Sequence, residues 1–314
     1  MRCMGVAGVG VLPEQRRTGV GLELLVRALP IFRERGAAFA SLMPFRAHYY
    51  RKAGYATAGT RLSMRCPTNR LPVLDSALEL WELPRDDYSA IVPCYEAFAK
   101  RYSGMNIRRD EQWRWQLGGD NRFAIYAAGN PPQAYISTRL KTDFWTEQEV
   151  RDLAWSSMEG YRAILGMLRG LCINKTGAKW WEPSDSPMLW RYEDQGMEAK
   201  FDGPMMYRAI NVEEILKAIP CEENLEFTFA VEDPHLPENR GPWMVRANKG
   251  AVSVEKGTLA DFDIGVRPFT QAALGEPSFA TIIKQDEVVV KNAKGIGEAL
   301  RFFTPHSTFC LDFF

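Results

Sequence analysis

"VGVLPEQRRTGVG", Val9 to Gly21, is the stretch on which the reading of this chain turns. Valines and glycines from Val6 to Leu12 predict a strand. A helix is predicted from Thr18 to Arg35, where Leu22, Leu25, Val26, Leu29 and Phe32 recur at helical spacing. Between the two lie Arg16, Arg17 and the glycines at 19 and 21. A helix that begins near Thr18 leaves its first N–H groups without partners, and the peptide dipoles place partial positive charge there. Gly19 and Gly21 remove Cβ atoms that would hold a bulky anion away, and the arginines add full charges. The pattern makes a seat for a pyrophosphate. It is not a Walker A loop, because Gly-Lys-Ser/Thr is absent. It is not a dinucleotide fingerprint either, because the third glycine position counted from Gly8 holds Pro13.

Outward from this stretch the chain divides into three predicted domains, 1–66, 67–208 and 209–314. The first reads as strand, helix, strand, helix, strand. "AAFASLMPF" is a buried strand closed by Pro44, "RAHYYRKAG" is two turns of helix with Gly54 at C′, and "TRLSMRC" is a strand. Such alternation predicts right-handed crossovers and a partly parallel sheet. "PTNRLPVLDS" reads as a linker into a second α/β pattern. There "ELWEL" is a strand and "DYSAIVPCYEAFAKRY" a helix with Ile91, Cys94, Tyr95 and Phe98 on one face. "RFAIYAAG" and "PQAYISTRLK" pair around a turn at Gly129–Pro131. "EVRDLAWS" and "AKWWEPSD" are strands either side of the helix "MEGYRAILGMLRGLCIN". From residue 209 an α+β pattern follows. Asn211 caps a short helix with Glu214 three residues on, and two segments after it alternate with period two. A helix runs from Pro268 to Leu274, "IKQDEVVVKNA" is strand or turn, and "GIGEALRFF" is a helix before the tail "TFCLDFF".

Lys+Arg and Asp+Glu both number 39 in 314 residues, so no global field gathers nucleic acid or an anionic membrane surface. With 46% hydrophobic residues the composition is that of a globular chain. The six cysteines stand singly, without metal-ligand or redox spacing, and read as reduced, mostly buried thiols of a cytoplasmic protein. No apolar run reaches the roughly 18 residues of a membrane span. The opening "MRCMGVAGVGVL" lacks the cleavage site of a signal peptide.

R-x-x-G-x-G after a V-x-V strand resembles the coenzyme A loop of the GCN5-related N-acetyltransferases (GNAT). A second motif, "HYYRKAGY" (His48 to Tyr55), resembles that family's F/Y-Y-x-K/R-x-G-F/Y signature. The layout of two acetyltransferase-like segments and an α+β domain is similar to the Eis-type (enhanced intracellular survival) proteins, which end in a sterol-carrier-protein-like domain. The resemblance implies acetyl-CoA as co-substrate, bound by Val9, Gly10, Val11, Arg16, Arg17, Thr18, Gly19, Val20, Gly21 and Leu22, with Phe45 and Arg46 alongside. It implies Tyr50 as the proton donor to the departing thiolate, with Tyr55 packing after the Gly54 turn. It implies the terminal carboxylate of Phe314 as proton acceptor. A small-molecule primary amine would be the substrate, and the assembly a homo-oligomer, a hexamer by the same resemblance. An α-carboxyl group, with a pKa of about 3.5, is a weak base for an ammonium near 10, but it orients the amine, relays its proton and stabilises the cation.

Other residues have blander readings. His48, His235 and His306 show no metal-ligand clustering and read as surface or packing residues. Trp113, Trp115, Trp180 and Trp181 fit either a pocket wall or core packing. The first domain departs from the family pattern, because Met1 lies almost inside the V-x-V strand and the preceding strands and helices are absent. A fragment or misplaced start, a partner chain over the sheet edge, and a shortened or inactive enzyme all fit. The alternative function is a non-catalytic lipid- or partner-binding protein that uses the last domain.

Overall fold

The computed structural model describes residues 1–84, 87–117, 123–139, 143–192, 194–202 and 205–312. In chain order the first piece holds β1 (Cys3–Gly5), α1 (Val20–Glu34), β2 (Phe39–Leu42), α2 (Ala47–Arg51) and β3 (Ala56–Thr57). β4 (Arg61–Pro67), β5 (Leu80–Glu82), α3 (Val92–Ala99), α4 (Asp110–Gln116), β6 (Phe123–Ala128) and β7 (Ala134–Arg139) follow. Then come β8 (Glu147–Trp155), α5 (Met158–Leu171), β9 (Gly177–Pro183), α6 (Pro187–Arg191) and β10 (Glu198–Phe201). The last piece holds β11 (Met206–Ala209), α7 (Val212–Ala218), β12 (Leu225–Glu232), β13 (Trp243–Asn248), β14 (Ala251–Lys256) and β15 (Phe262–Gly265). It ends with α8 (Val266–Leu274), α9 (Phe279–Lys284), β16 (Val288–Val290) and α10 (Ala293–Phe302).

α1 forms as its spacing predicts. Leu25 and Leu29 are buried, with Leu22, Val26 and Phe32 packed against the same cluster. The strand predicted over Val6–Leu12 is not there, and the extended pairing lies earlier, at β1. Its parallel partner β2 is four residues long, and the N–H of Val6 makes the last bond, to the Ser41 carbonyl at 2.8 Å. Gly8 then turns the chain away with φ 66°.

Strand pairing does not follow the three consecutive pieces. Within the described residues, one compact unit takes 1–59 and 205–306, and the other falls within 60–202 and 307–312. In the first unit, β11 lies between β2 and β3 and is antiparallel to both, giving the order β1-β2-β11-β3. A second sheet in this unit has the order β14-β13-β12-β15-β16. In the second unit, β4 joins β9 over the register Arg61↔Pro183 to Pro67↔Gly177, in a seven-stranded sheet β10-β4-β9-β8-β7-β6-β5. The strand expected to close the first domain thus serves the second unit's sheet, and a strand from beyond residue 200 completes the first. Backbone hydrogen bonding enforces this. β2 and β3 are not bonded to each other, and β11 satisfies the facing groups of both.

The predicted hairpin of β6 and β7, the helix α5 and the parallel pair β8 and β9 that flanks it are present. Ile91, Cys94, Tyr95 and Phe98 are all buried, as their spacing predicts. In the last piece Asn211 caps α7, its side chain accepting from the Glu214 N–H at 3.3 Å. Phe227, Phe229, Phe262, Phe269, Phe279, Phe302 and Phe303 pack ring on ring beside β12, with centroids 5.1–6.3 Å apart.

One buried ion pair ties the first unit together. Arg208 on β11 and Asp233 after β12 are both buried, with Nη2 2.6 Å from Oδ1. The Arg208 Nε–H also donates to the Ala53 carbonyl at 3.0 Å, and Nη1 donates to the Ala209 carbonyl at 2.6 Å. Burial pushes the Asp233 carboxyl up, but the Arg208 guanidinium, the Asn239 amide and the His235 N–H outweigh it and hold the group below its ordinary value. The unfolded carboxyl therefore binds protons more readily than the folded one, so the stabilisation is complete above pH about 4 and is lost as pH falls below it. Asp233→Asn is expected to cost about 3–5 kcal/mol in urea denaturation at neutral pH. The gap to the parent protein should narrow as the pH drops through that window.

Candidate functional site

The loop before α1 is built by short-range contacts. Pro13–Gln15 forms one 3-10 turn, the Thr18 hydroxyl donates to the Gln15 carbonyl at 2.7 Å, and Arg16 Nε–H donates to the Val11 carbonyl at 3.3 Å. Arg17 has φ 67° and Gly19 φ 91°. Arg16, Arg17, Thr18, Gly19 and Val20 are exposed, as is Gly10, while Val9, Val11 and Leu22 are half-buried. Among the described residues, no backbone hydrogen bond uses the N–H of Val9, Gly10 or Val11, and none uses the N–H of Val20 or Gly21. The N-cap position is Gly19, with no side chain to close the helix end. Unbonded backbone donors, the helix dipole and two exposed arginines occur together in this loop, a combination suited to a diphosphate.

The two glycines have different jobs. A Cβ on Gly19 would meet nothing within 4 Å, so its place is set by backbone conformation and the space above it is open. A Cβ on Gly21 would lie 2.4 Å from the Tyr49 hydroxyl oxygen and 3.1 Å from Val11 Cγ2. Gly21 is there to admit Tyr49.

The second motif supplies an aromatic cluster. α2 closes in the predicted manner. With Gly54 at C′ and φ 83°, the Tyr55 N–H reaches the Tyr50 carbonyl at 3.3 Å, and the Gly54 N–H reaches the Arg51 carbonyl at 3.0 Å. Tyr50 is 6% exposed and sits in the core with Leu25, Leu42 and Tyr55. Its ring meets Phe45, Tyr49 and Tyr55 with centroids 5.5, 5.3 and 6.3 Å away. Burial, and then the neighbouring Tyr49, push its phenol above the ordinary value, so it stays protonated at neutral pH. The Tyr55 hydroxyl is buried and has no hydrogen-bond partner among the described residues. Phe45 is 71% exposed over this cluster, and Arg46, also exposed, holds the N-cap position of α2. The contact of Tyr49 with Gly21 joins the two motifs. Spacing did not single out Tyr49, because neighbouring helical residues point about 100° apart and the quoted pattern does not say which faces α1.

Phe314, with Phe313, lies outside the described residues. His48 and His306 are exposed, and His235 Nε2 lies 2.9 Å from the Lys52 carbonyl oxygen. Trp113 and Trp180 are core residues, while Trp115 is exposed and Trp181 half-buried. Beside α2 is an open cleft of about 670 Å³ whose charged lining is Arg51, Lys52, Arg240 and Arg267 with Glu232, Asp233 and Glu287. Its charges nearly cancel, so it selects neither an amine nor an anion. No helix among the described residues is long and apolar enough to cross a membrane.

Residues 1–58 match the family described as acetyltransferase (GNAT) domain, and residues 212–311 match the sterol carrier protein domain. An uncharacterised N-acetyltransferase of Streptomyces coelicolor is 23% identical over 322 residues, covering 95% of this chain and 78% of its own. Among solved structures, a GCN5-related N-acetyltransferase from Anabaena variabilis superposes with a TM-score of 0.90 at 20% identity, over 99% of this chain and 82% of that one. Eis1 from Mycobacterium abscessus superposes with a TM-score of 0.81 at 22% identity, again over 99% and 82%. The chain thus has the mixed α/β fold expected, with a GNAT acetyltransferase segment at its start and a sterol-carrier segment at its end.

Gly21→Ala is expected to displace the Tyr49 phenol and cost about 1–3 kcal/mol in urea denaturation. In a Tyr49→Phe background most of that cost should vanish, because the nearest remaining ring carbon lies 3.6 Å from the new methyl group.

Proposed function

We propose that this GNAT acyltransferase moves the acetyl group of acetyl-CoA onto a primary amine of the aminoglycoside, polyamine or protein-lysine type. The observation that carries the reading is the bare start of α1, where unpartnered N–H groups at Val20 and Gly21, open space at Gly19 and the exposed Arg16 and Arg17 coincide. Acetyl-CoA supplies the activated acyl group. Arg16, Arg17 and the first amides of α1 hold its diphosphate, with Thr18, Gly19, Val20 and Leu22 lining the turn. The backbone of Val9, Gly10 and Val11 orients the arm that leads to the thioester, and an N–H near Val11 meets the carbonyl oxygen as charge develops there. Phe45 and Arg46 flank the same side.

Tyr50 gives its phenolic proton to the sulfur as the C–S bond breaks. The neutral amine attacks the acetyl carbon, and the terminal carboxylate of Phe314 receives the proton that the nitrogen sheds once the C–N bond has formed. The protein gives one proton to sulfur and takes one from nitrogen, and because the amine attacks the thioester directly no covalent enzyme intermediate is required. A second assignment of the donor has its own support: Tyr49 is less buried than Tyr50, and its hydroxyl rests against the first turn of α1. For the alternative of a lipid carrier, the phenylalanine rings beside β12 count against it, because they fill the apolar side of that sheet with packed core.

Thermal unfolding with coenzyme A tests the reading. Saturation at about 100 times Kd should stabilise the protein by about 2.7 kcal/mol, and Arg16→Ala with Arg17→Ala should remove most of that gain. A free-thiol assay against polyamines and aminoglycosides should show turnover that falls about 10²–10⁴-fold in Tyr50→Phe with coenzyme A binding retained. If Tyr49→Phe takes that loss instead, the donor is Tyr49. No response to millimolar coenzyme A, with a response to a fluorescent fatty acid, would replace the enzyme by the carrier.

A further inference from the structure

Residues 307–312 fall within the second unit and dock on it through backbone, apolar and polar contacts. The Ser103 N–H bonds to the Ser307 carbonyl at 3.0 Å and the Phe309 N–H to the Ser103 carbonyl at 2.9 Å, while Phe309 and Leu311 join the core of that unit. Asp312 is buried beside Arg108, whose Nε–H donates to its Oδ1 at 2.8 Å. Its Oδ2 accepts from the Asn106 amide at 2.9 Å. The Arg108 guanidinium is stacked 4.0 Å from the Tyr95 ring centre and 4.7 Å from that of Trp113.

One guanidinium faces two carboxyl groups here, and the side chains of all three are no more than 8% exposed. Asp152 of β8 accepts from Arg108 Nη1 at 2.6 Å and Nη2 at 3.1 Å, and from the Tyr135 hydroxyl of β7 at 2.7 Å. Its partners among the described residues are all donors. Asp312 has a different set. The Tyr95 hydroxyl of α3 carries one proton, and the Asn106 carbonyl at 2.8 Å is a better acceptor for it than Asp312 Oδ2 at 3.4 Å. The phenol oxygen is then left facing Oδ2 as an acceptor. A proton on Oδ2 therefore has somewhere to point, and with it in place the buried charges cancel, one guanidinium against one carboxylate. Burial pushes the Asp312 carboxyl up, with Arg108 opposing and Asp152 reinforcing the rise. Around it, burial pushes the Cys310 thiol up to about 12 and raises the Tyr95 and Tyr135 phenols as well. At Arg108 burial is outweighed by Asp152, so the guanidinium stays charged. None of these four groups changes charge between pH 5 and 8.

We propose that residues 307–312 are a proton-linked latch on the second unit, docking with Asp312 in its neutral acid form, hydrogen-bonded to Arg108, Asn106 and the Tyr95 oxygen. In the open segment Asp312 faces water and has the ordinary carboxyl pKa of about 4. Between that value and the higher one of the docked carboxyl, opening releases one proton to water, so the opening constant rises by up to tenfold per pH unit. Above the docked value it levels off. Acid thus tightens this latch, the opposite of its effect on the Arg208–Asp233 pair of the first unit, whose carboxyl is held low.

Hydrogen exchange of the full chain, read by mass spectrometry on peptides covering residues 307–312 and corrected for the intrinsic pH dependence of exchange, gives the opening constant from pH 5 to 8. In the parent protein it should rise about tenfold or more over that range. Asp312→Asn copies the neutral form, so its opening constant should be independent of pH and, at pH 8, no higher than that of the parent. A flat parent profile overturns the proposal. A variant that opens more readily than the parent at pH 8 overturns it too, because the docked carboxyl is then an ion paired with Arg108. Should Asp312→Asn not fold, the parent profile decides alone, with peptides from α1 and β12 of the first unit as the control. A slope shared by those peptides is general unfolding and overturns the latch, and a slope confined to 307–312 supports it.

Discussion

The first unit depends on a single guanidinium. Arg208 is fully buried, and its donors reach three separate pieces of chain: the turn after α2, its own strand and the segment after β12. Lysine could not replace it, since only a planar fork with several fixed N–H groups serves acceptors in these directions at once. The Ala53 carbonyl is 155 positions away in sequence and the Asp233 carboxylate 25. A Cβ on Gly54 would lie 2.6 Å from the Arg208 Nε. The glycine that ends α2 is therefore required twice, by its positive φ and by the arginine across from it. The tyrosine-bearing motif takes its shape from a strand far along the chain.

The second unit uses the same device at another junction of remote segments. Arg108 gathers Asp152, 44 positions on, and Asp312, 204 positions on. In both units the apolar clusters supply most of the stabilisation, while the buried ions decide which distant segment docks where. The two cases differ in balance. Arg208 meets one carboxylate and two carbonyls, whereas Arg108 meets two carboxylates.

What could be read in the sequence was what local periodicity encodes. α1, α3, α5 and the β6–β7 hairpin follow from the spacing of apolar residues and from turn residues, because each forms largely from its own stretch. β11 was illegible: "MYRA" is four residues long and buried on both faces, so it has neither length nor alternation. β4 was legible as a strand, but its sheet was not, since pairing with β9 is a contact across more than a hundred residues. The stretch Val6–Leu12 has strand propensity and no partner, and Gly8 turns it aside. At the candidate site the loop residues were legible because their chemistry is local. The separate duties of Gly19 and Gly21 were not, because Tyr49 imposes the second of them from another element.

The interleaving of β4 and β11 has a consequence for how the protein is made. On the ribosome the segment with both acetyltransferase motifs emerges well before the strand that completes its sheet and the carboxylate that neutralises Arg208, both of which are encoded after residues 60–202 of the second unit. At about 5–20 residues per second, the 150 or so residues in between take roughly 8–30 s to synthesise. For that interval the edge of β2 that awaits β11 is open. Nascent copies on one messenger thus share an unfilled sheet edge, and a trigger for chaperone attention is written into the order of the strands.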